Sequence, residues 1–257
     1  MRTAVTTVLS PGPRAAEAAA RAASRHGLPF LPRGDRSLPS LAAEEGADAL
    51  VVLGSSSGLW MGGRESRWSP GMGALRAKRL AIGDRTTRDP FLEAAGLLPS
   101  ETVLDCTAGL GADALVAAGA VGPGGRVVAL DSSAALAAWV DEGLRRLADP
   151  AARRIELRCE DHAAFLDRCA ERSFDAVVFD PMFRHARPQA PGFDPVRRLA
   201  DPRPLEARAV ARARRVARRC VLVKDGSPGW DLARLGLPPL PSRRGAHRLY
   251  ARLDPLP

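Results

Sequence analysis

Four apolar runs in this chain end in residues that a buried core does not need: Asp105-Cys106-Thr107-Ala108-Gly109-Leu110-Gly111-Ala112-Asp113, Asp131-Ser132, Cys159-Glu160-Asp161-His162 and Asp180-Pro181-Met182-Phe183. In the first, Gly109 and Gly111 let the backbone approach a ligand closely, and the helix that follows presents free N–H groups. Ala114 stands where a third glycine would complete a dinucleotide fingerprint, and Asp105 beside the turn would repel a pyrophosphate. A positively charged ligand suits this turn better, and the sulfonium and ammonium of S-adenosylmethionine supply that charge. Asp131, about twenty residues further on, is placed to accept hydrogen bonds from ribose hydroxyls, or to cap the helix that starts at Ser132 or Ser133. Asp161 can receive an adenine amino group while Glu160 lines the base; it can equally well cap the helix HAAFLDRC.

The fourth segment sets the reaction. An amino group on a purine or pyrimidine is a poor nucleophile, because its lone pair is delocalised into the ring. A carboxylate from Asp180 and a main-chain carbonyl at Pro181 could accept its two N–H bonds and aim the lone pair at a methyl donor. Pro181 fixes the turn, and Phe183 could stack on the base. Read alone, Asp-Pro is an ordinary strand-ending turn. After three other polar strand ends it points to methylation of an amine.

These segments need a scaffold, and the rest of the chain supplies one. TAVTTVL reads as a first strand and PRAAEAAARAASRH as an Ala-rich helix; SLPSLAAEEG and DALVVLG follow as helix and strand. SSSGLWMGGRESRWSPGMG reads as loop or hairpin. The expected division is a small N-terminal α/β subdomain over residues 1–58, a linker with a basic lead-in at 59–89, and a catalytic domain at 90–257. In that last part strands and helices alternate, and the strand runs VVAL, AVVF and VLV are continuous rather than alternating, as parallel strands covered on both faces require. The fold class is α/β, with a Rossmann-like sheet whose ligands sit beyond the carboxyl ends of its strands.

DCTAGLGADALV together with FDPMF, VLVKD and a late AHRLYA resembles the RsmJ-type 16S rRNA guanine-N2 methyltransferases and their less characterised relatives, within the class I S-adenosylmethionine-dependent methyltransferases. The likeness covers roughly residues 60–250, including the lead-in RAKRLAIGDRTTRDPFLEAAGL. It implies that Ala112-Asp113, Asp131-Ser132, Glu160-Asp161 and Asp180 contact S-adenosylmethionine, and that Asp180 to Phe183 face the target base. With Asp105, Thr107, Gly109 and Gly111 these form the expected cofactor site. Three positions depart from the usual pattern: Met182 where most amino-methyltransferases have Pro, Asp225 where a basic residue follows Val-Lys, and Glu160-Asp161 in place of small hydroxyl residues.

The formal charge of +9 suits a polyanionic partner such as RNA, although a GC-rich genome would also give arginine in place of lysine, and only Lys78 and Lys224 are lysines. Arg76, Lys78, Arg79, Arg85 and Arg88 flank the expected pocket and are candidates for RNA contact. Arg208, Arg212, Arg214, Arg215, Arg218 and Arg219 crowd one helix, whose ordinary reading is a solvated face. Trp60, Met61 and Trp68 could stack on a partner or anchor a loop; His185 reads as exposed and inert. Cys106, Cys159, Cys169 and Cys220 form no CxxC pair and are expected as reduced core residues. No metal-ligand cluster, membrane span or signal peptide is evident, so a cytoplasmic enzyme is expected. The rival readings are methylation of another nitrogen on DNA, protein or a small molecule, and a non-catalytic RNA-binding module on a vestigial fold.

Overall fold

The computed structural model describes residues 1–83, 88–182, 194–243 and 245–256. Its N-terminal unit holds β1 (Thr3–Thr7), α1 (Pro13–Arg25), α2 (Leu38–Glu45), β2 (Ala49–Leu53), β3 (Ser57–Met61) and β4 (Arg64–Arg67). The sheet runs β1-β2-β3-β4, with β1 and β2 parallel and the last two strands added as an antiparallel hairpin. The stretch SSSGLWMGGRESRWSPGMG therefore holds a hairpin, the second of its two readings, and the N-terminal sheet continues past residue 58 into the segment read as linker. Gly62 and Gly63, both at positive φ, make the tight turn between β3 and β4. The basic lead-in forms α3 (Met72–Ala81), followed by α4 (Pro90–Ala95), which opens on an Asp89 side-chain cap and stops at Gly96.

The larger unit continues with β5 (Thr102–Asp105), α5 (Ala112–Val121), β6 (Arg126–Asp131), α6 (Ala134–Arg146), β7 (Ile155–Cys159), α7 (His162–Arg168), β8 (Phe174–Phe179), α8 (Asp194–Leu199), α9 (Ala207–Val216), β9 (Ala217–Gly226), α10 (Trp230–Arg234) and β10 (Arg248–Leu253). The strand order is β10-β9-β8-β5-β6-β7, parallel except for β10. From β5 the chain winds outward through β6 and β7, then crosses back to β8 on the other side. That switch point, between the carboxyl ends of β5 and β8, is where an open α/β sheet leaves a crevice. Apolar strand residues such as Val103, Leu104, Val128, Val177 and Leu222 are fully buried between helices on both faces. Cys106 and Cys220 are buried, Cys159 and Cys169 half-buried, and all four are free thiols. Among the described residues no helix is long and apolar enough to cross a membrane, and no His/Cys/Asp/Glu group could hold a metal ion.

The N-terminal unit docks on α6 through both polar and apolar contacts. Arg25 pairs with Asp141 at 3.0 Å and with Glu142 at 2.5 Å, and the buried His26 meets Asp141 through Nε2 at 3.1 Å. The Ser57 hydroxyl donates to the Trp139 carbonyl at 2.8 Å, and the Trp139 indole donates back to the Ser57 carbonyl at 3.2 Å. Trp68 lies flat against α6 at Gly143, where an added Cβ would fall 2.1 Å from its ring. Alanine normally stabilises a helix interior over glycine by roughly 0.5–1 kcal/mol. Here the sign is expected to reverse: Gly143→Ala must displace the Trp68 ring, at a cost of about 1–3 kcal/mol. Urea unfolding measures the loss, and a shift in tryptophan emission locates it.

Candidate active site

The glycine turn joins β5 to α5. Gly109 and Gly111 adopt positive φ (52° and 76°), which a side chain would strain, and no side chain caps α5. The first-turn N–H groups of Ala112 and Asp113 therefore have no intrahelical acceptor. α3 presses onto the same turn: a Cβ on Gly73 would stand 2.8 Å from the Ala112 Cα.

Asp131 closes the turn from the neighbouring strand. Its carboxylate accepts the Gly109 N–H at 3.2 Å and the Ser133 N–H at 2.9 Å. The cap of α6 is Ser133, whose hydroxyl accepts from Leu136 N–H, so Asp131 is not spent on capping. Two of its acceptor positions remain for a ligand. Burial raises the Asp131 carboxyl to about 6, against the two N–H donors that lower it. Asp105, also buried, accepts the Thr107 N–H at 3.0 Å, yet burial still pushes it to about 7.

The Asp180-Pro181 corner meets the glycine turn directly, because the Asp180 N–H donates to the Thr107 hydroxyl at 2.6 Å. Thr107 thus fastens the two segments together, a role its place in the sequence does not show. Met182 is half-buried and packs with Leu110 against the apolar cluster that the N-terminal sheet shares with α6 and α8, so it anchors the corner rather than exposing it. Phe183, His185 and Arg85 lie outside the described residues.

Lys224 and Arg76 are the site residues that sequence reasoning missed. The Lys224 ammonium, buried at the end of β9, donates to Asp113 at 2.7 Å and Asp180 at 2.5 Å. Arg76 holds the other Asp113 oxygen at 2.6 Å and Asp89 at 2.7 Å. Burial opposes ionisation of Asp113, but the two cations overcome it and hold its carboxyl at about 2. With its carboxylate so engaged, Asp113 offers a ligand its main-chain N–H. Arg76 is correspondingly not a free RNA-binding cation. The signal for Lys224 was compositional: one of two lysines in an arginine-dominated chain, inside the apolar run VLVK, must have partners to be buried.

At the end of β7 the two readings of Asp161 separate. Its carboxylate accepts from Ala163 and Ala164 N–H, capping α7, and pairs with Arg203 at 2.7 Å. Burial is the largest single influence and raises it, but these donors together outweigh it and hold it below the usual range. Glu160 pairs with Arg168, and its N–H donates to the Asp131 carbonyl at 2.9 Å. Ser132 lines a cleft of about 630 Å³ between Gly27–Pro29 and Leu199–Arg203. Asp225 accepts the N–H groups of Asp231 and Leu232 at the start of α10.

An uncapped helix start behind two glycines, a buried carboxylate at the end of the next strand and buried acid at the turn fit a nucleoside cofactor bearing positive charge. This is the cleft of a class I methyltransferase. The family model described as "Putative SAM-dependent methyltransferase" matches residues 73–226. The uncharacterized protein YpiP of Bacillus subtilis is 32% identical, with 86% of this chain and 88% of that protein covered. Ribosomal RNA small subunit methyltransferase J of Laribacter hongkongensis is 36% identical over 138 residues, covering 48% of each chain, so this chain spans about half the length of that relative. A crystal structure of an S-adenosylmethionine-dependent methyltransferase from Neisseria gonorrhoeae matches with a TM-score of 0.62, 21% identity and coverage of 98% and 95%; that likeness is one of fold. The chain belongs to the S-adenosylmethionine-dependent methyltransferase family, and its cofactor is S-adenosylmethionine.

Proposed function

We propose that this methyltransferase modifies an exocyclic amino group of a base in RNA, with guanine N2 in ribosomal RNA the favoured target. The observation that carries the reading is the 2.6 Å bond from the Asp180 N–H to Thr107, which holds the Asp-Pro corner against the cofactor turn. The cofactor supplies an electrophilic methyl group on sulfur. Around it, the N–H groups of Ala112 and Asp113 and the carboxylates of Asp105 and Asp131 bind and orient, with Ser132 and Glu160 lining the nucleoside end. Asp180 and the Pro181 carbonyl accept the two N–H bonds of the amine and turn its lone pair toward the methyl carbon. Asp180 would also take up the proton that the amine gives up on methylation and pass it to water.

A paired, stacked base cannot reach this corner, so the target must be unstacked or single-stranded. Charged groups available to RNA phosphates close to the site are on α3. Lys78 is exposed and Arg79 half-exposed, beside the exposed apolar side chains of Met72, Leu75 and Ile82. The expected single arginine-rich helix is divided: Arg208, Arg212, Arg214 and Arg215 lie on α9, whereas Arg218 and Arg219 begin β9. This face is less available, because Arg212, Arg215, Arg218 and Arg219 pair with Asp167, Glu171, Asp175 and Glu101, and Arg214 donates to the Asp254 carbonyl. The likeness to the Laribacter hongkongensis ribosomal RNA small subunit methyltransferase supports this substrate class.

The test is a comparison of modified nucleosides in ribosomal RNA from cells with and without the protein. One N2-methylguanosine is expected to disappear. If every methylated nucleoside persists at its usual level, ribosomal RNA is not the substrate, and the other nitrogen acceptors become the leading candidates.

A further inference from the structure

Opposite charges alternate along a line that crosses five elements. Asp89 at the start of α4 meets Arg76 of α3, which meets Asp113 of α5, which meets Lys224 of β9, which meets Asp180 beyond β8, at 2.7, 2.6, 2.7 and 2.5 Å in turn. A buried ammonium is costly unless its donors are used, and one held between two carboxylates is costly to remove. Lys224 is 7% exposed, whereas the Asp180 side chain is 28% exposed and so faces both the lysine and the crevice. Its Oδ2 is held by Lys224, and no bond within the chain occupies Oδ1 among the described residues.

We propose that Lys224 is the positioning residue of this site: bridging Asp113 and Asp180, it fixes one oxygen of Asp180 and leaves the other free to accept the substrate amine. The inference rests on the amine-methylating role of Asp180 and adds the group that orients it. A carboxylate gripped at one oxygen cannot rotate away, so the position of the accepting lone pair is set before substrate arrives. Burial raises the Asp180 carboxyl, and the Lys224 ammonium works against that rise. A compact ammonium reaches two carboxylates at once in a narrow space where a planar guanidinium would need more room, which accounts for a lysine in a chain that otherwise uses arginine. The charged and titratable groups around Lys224 are Asp113 of α5, Asp180, Tyr250 and Arg248 of β10, and Asp105 of β5, with Arg76 of α3 behind Asp113. Tyr250, the sole tyrosine, is pushed by burial to about 12 and stays neutral.

The experiment compares wild type, Lys224→Met and Lys224→Arg. Lys224→Met is expected to lower kcat by about 10- to 100-fold, the range typical when a group that orients a reacting ligand is lost. KM and calorimetric affinity for S-adenosylmethionine should change much less. The acidic limb of the kcat profile should move to higher pH, because the cation that lowers Asp180 is gone. Lys224→Arg should restore the limb and part of kcat. Carbon NMR of the Asp180 carboxyl, assigned by its absence in Asp180→Asn, reads the same shift without substrate and so tests Lys224 even if the RNA assignment fails. If Lys224→Met does not fold, Asp113→Asn frees the lysine from its second partner, and the Asp180 resonance should then move to lower pH. An Asp180 titration unchanged in these variants, or kcat and KM falling together with no movement of the acidic limb, overturns the proposal.

Discussion

Asp180→Asn is expected to reduce kcat by about 10²–10⁴-fold while calorimetric affinity for S-adenosylmethionine stays within a few-fold of wild type. The asymmetry follows from which groups each partner uses. In the proposed arrangement the glycine turn, the start of α5 and the carboxylates of Asp105 and Asp131 hold the cofactor, and the substitution alters none of them. In the same arrangement Asp180 and the Pro181 carbonyl hold the amine, and asparagine keeps the shape but changes the chemistry. Its single carbonyl oxygen can satisfy Lys224 or the substrate, and its amide N–H₂ would face one of them donor to donor. An uncharged amide also cannot take the proton released as the N–C bond forms. The main-chain N–H of residue 180 still reaches the Thr107 hydroxyl, so the corner should keep its place. Single-turnover kinetics with excess enzyme separates the chemical step from binding. A variant that transfers methyl at the wild-type rate would remove Asp180 from the reaction, and with it the amine-specific reading.

How much of this arrangement the sequence shows depends on the range of the interaction. Asp105 with its glycine turn, Asp131 and the Asp180-Pro181 corner are each local: a polar or glycine residue directly after an apolar run, visible within a few positions. Continuous apolar strands such as AVVF identified the parallel sheet for the same reason. The links that make these segments one site are long-range and left no local trace. Arg76 sits beside Lys78 and Arg79 and reads as one more solvated cation, yet its partners Asp89 and Asp113 bury it against the site. The arginines of α9 and of the start of β9 read as one basic helix face, but their carboxylates lie some 40 to 120 residues away in the chain, at Asp167, Glu171, Asp175 and Glu101. Asp161 had two readings of equal weight from sequence; the observed bonds to Ala163 and Ala164 give it the cap, a local role that only the geometry of the turn could select. The stretch rich in Gly, Ser and Trp read as loop or hairpin, and the hairpin of β3 and β4 is the reading that holds; its register is set by pairing with β2 rather than by alternation within the strand.

Affinity for S-adenosylmethionine is expected to fall steeply as pH is lowered from about 8 to about 5. In the cofactor-free protein burial raises Asp105 to about 7 and Asp131 to about 6, and both must be ionised to meet a cation and two ribose hydroxyls. Below its own pKa each carboxyl must first lose a proton, which weakens binding about tenfold per pH unit. Over that interval Asp105 accounts for about 100-fold and Asp131 for about 10-fold. The same two groups act on stability with the opposite tendency. Because their folded pKa values exceed the unfolded value of 3.8, the folded state binds more protons than the unfolded chain between about 4 and 7. Their contribution to stability is therefore present in acid and is lost as pH rises through 6 and 7, where the cost of two buried anions is carried in full. A bound cation offsets that cost, so the cofactor should raise the melting temperature far more at pH 8 than at pH 5.5. Titration calorimetry in buffers of different ionisation enthalpy should show proton release on binding near pH 6.5, reduced in Asp105→Asn. Proton uptake, or an affinity flat from pH 5 to 8, would mean that neither carboxylate faces the cofactor, and the crevice between β5 and β8 would then have to hold it in some other way.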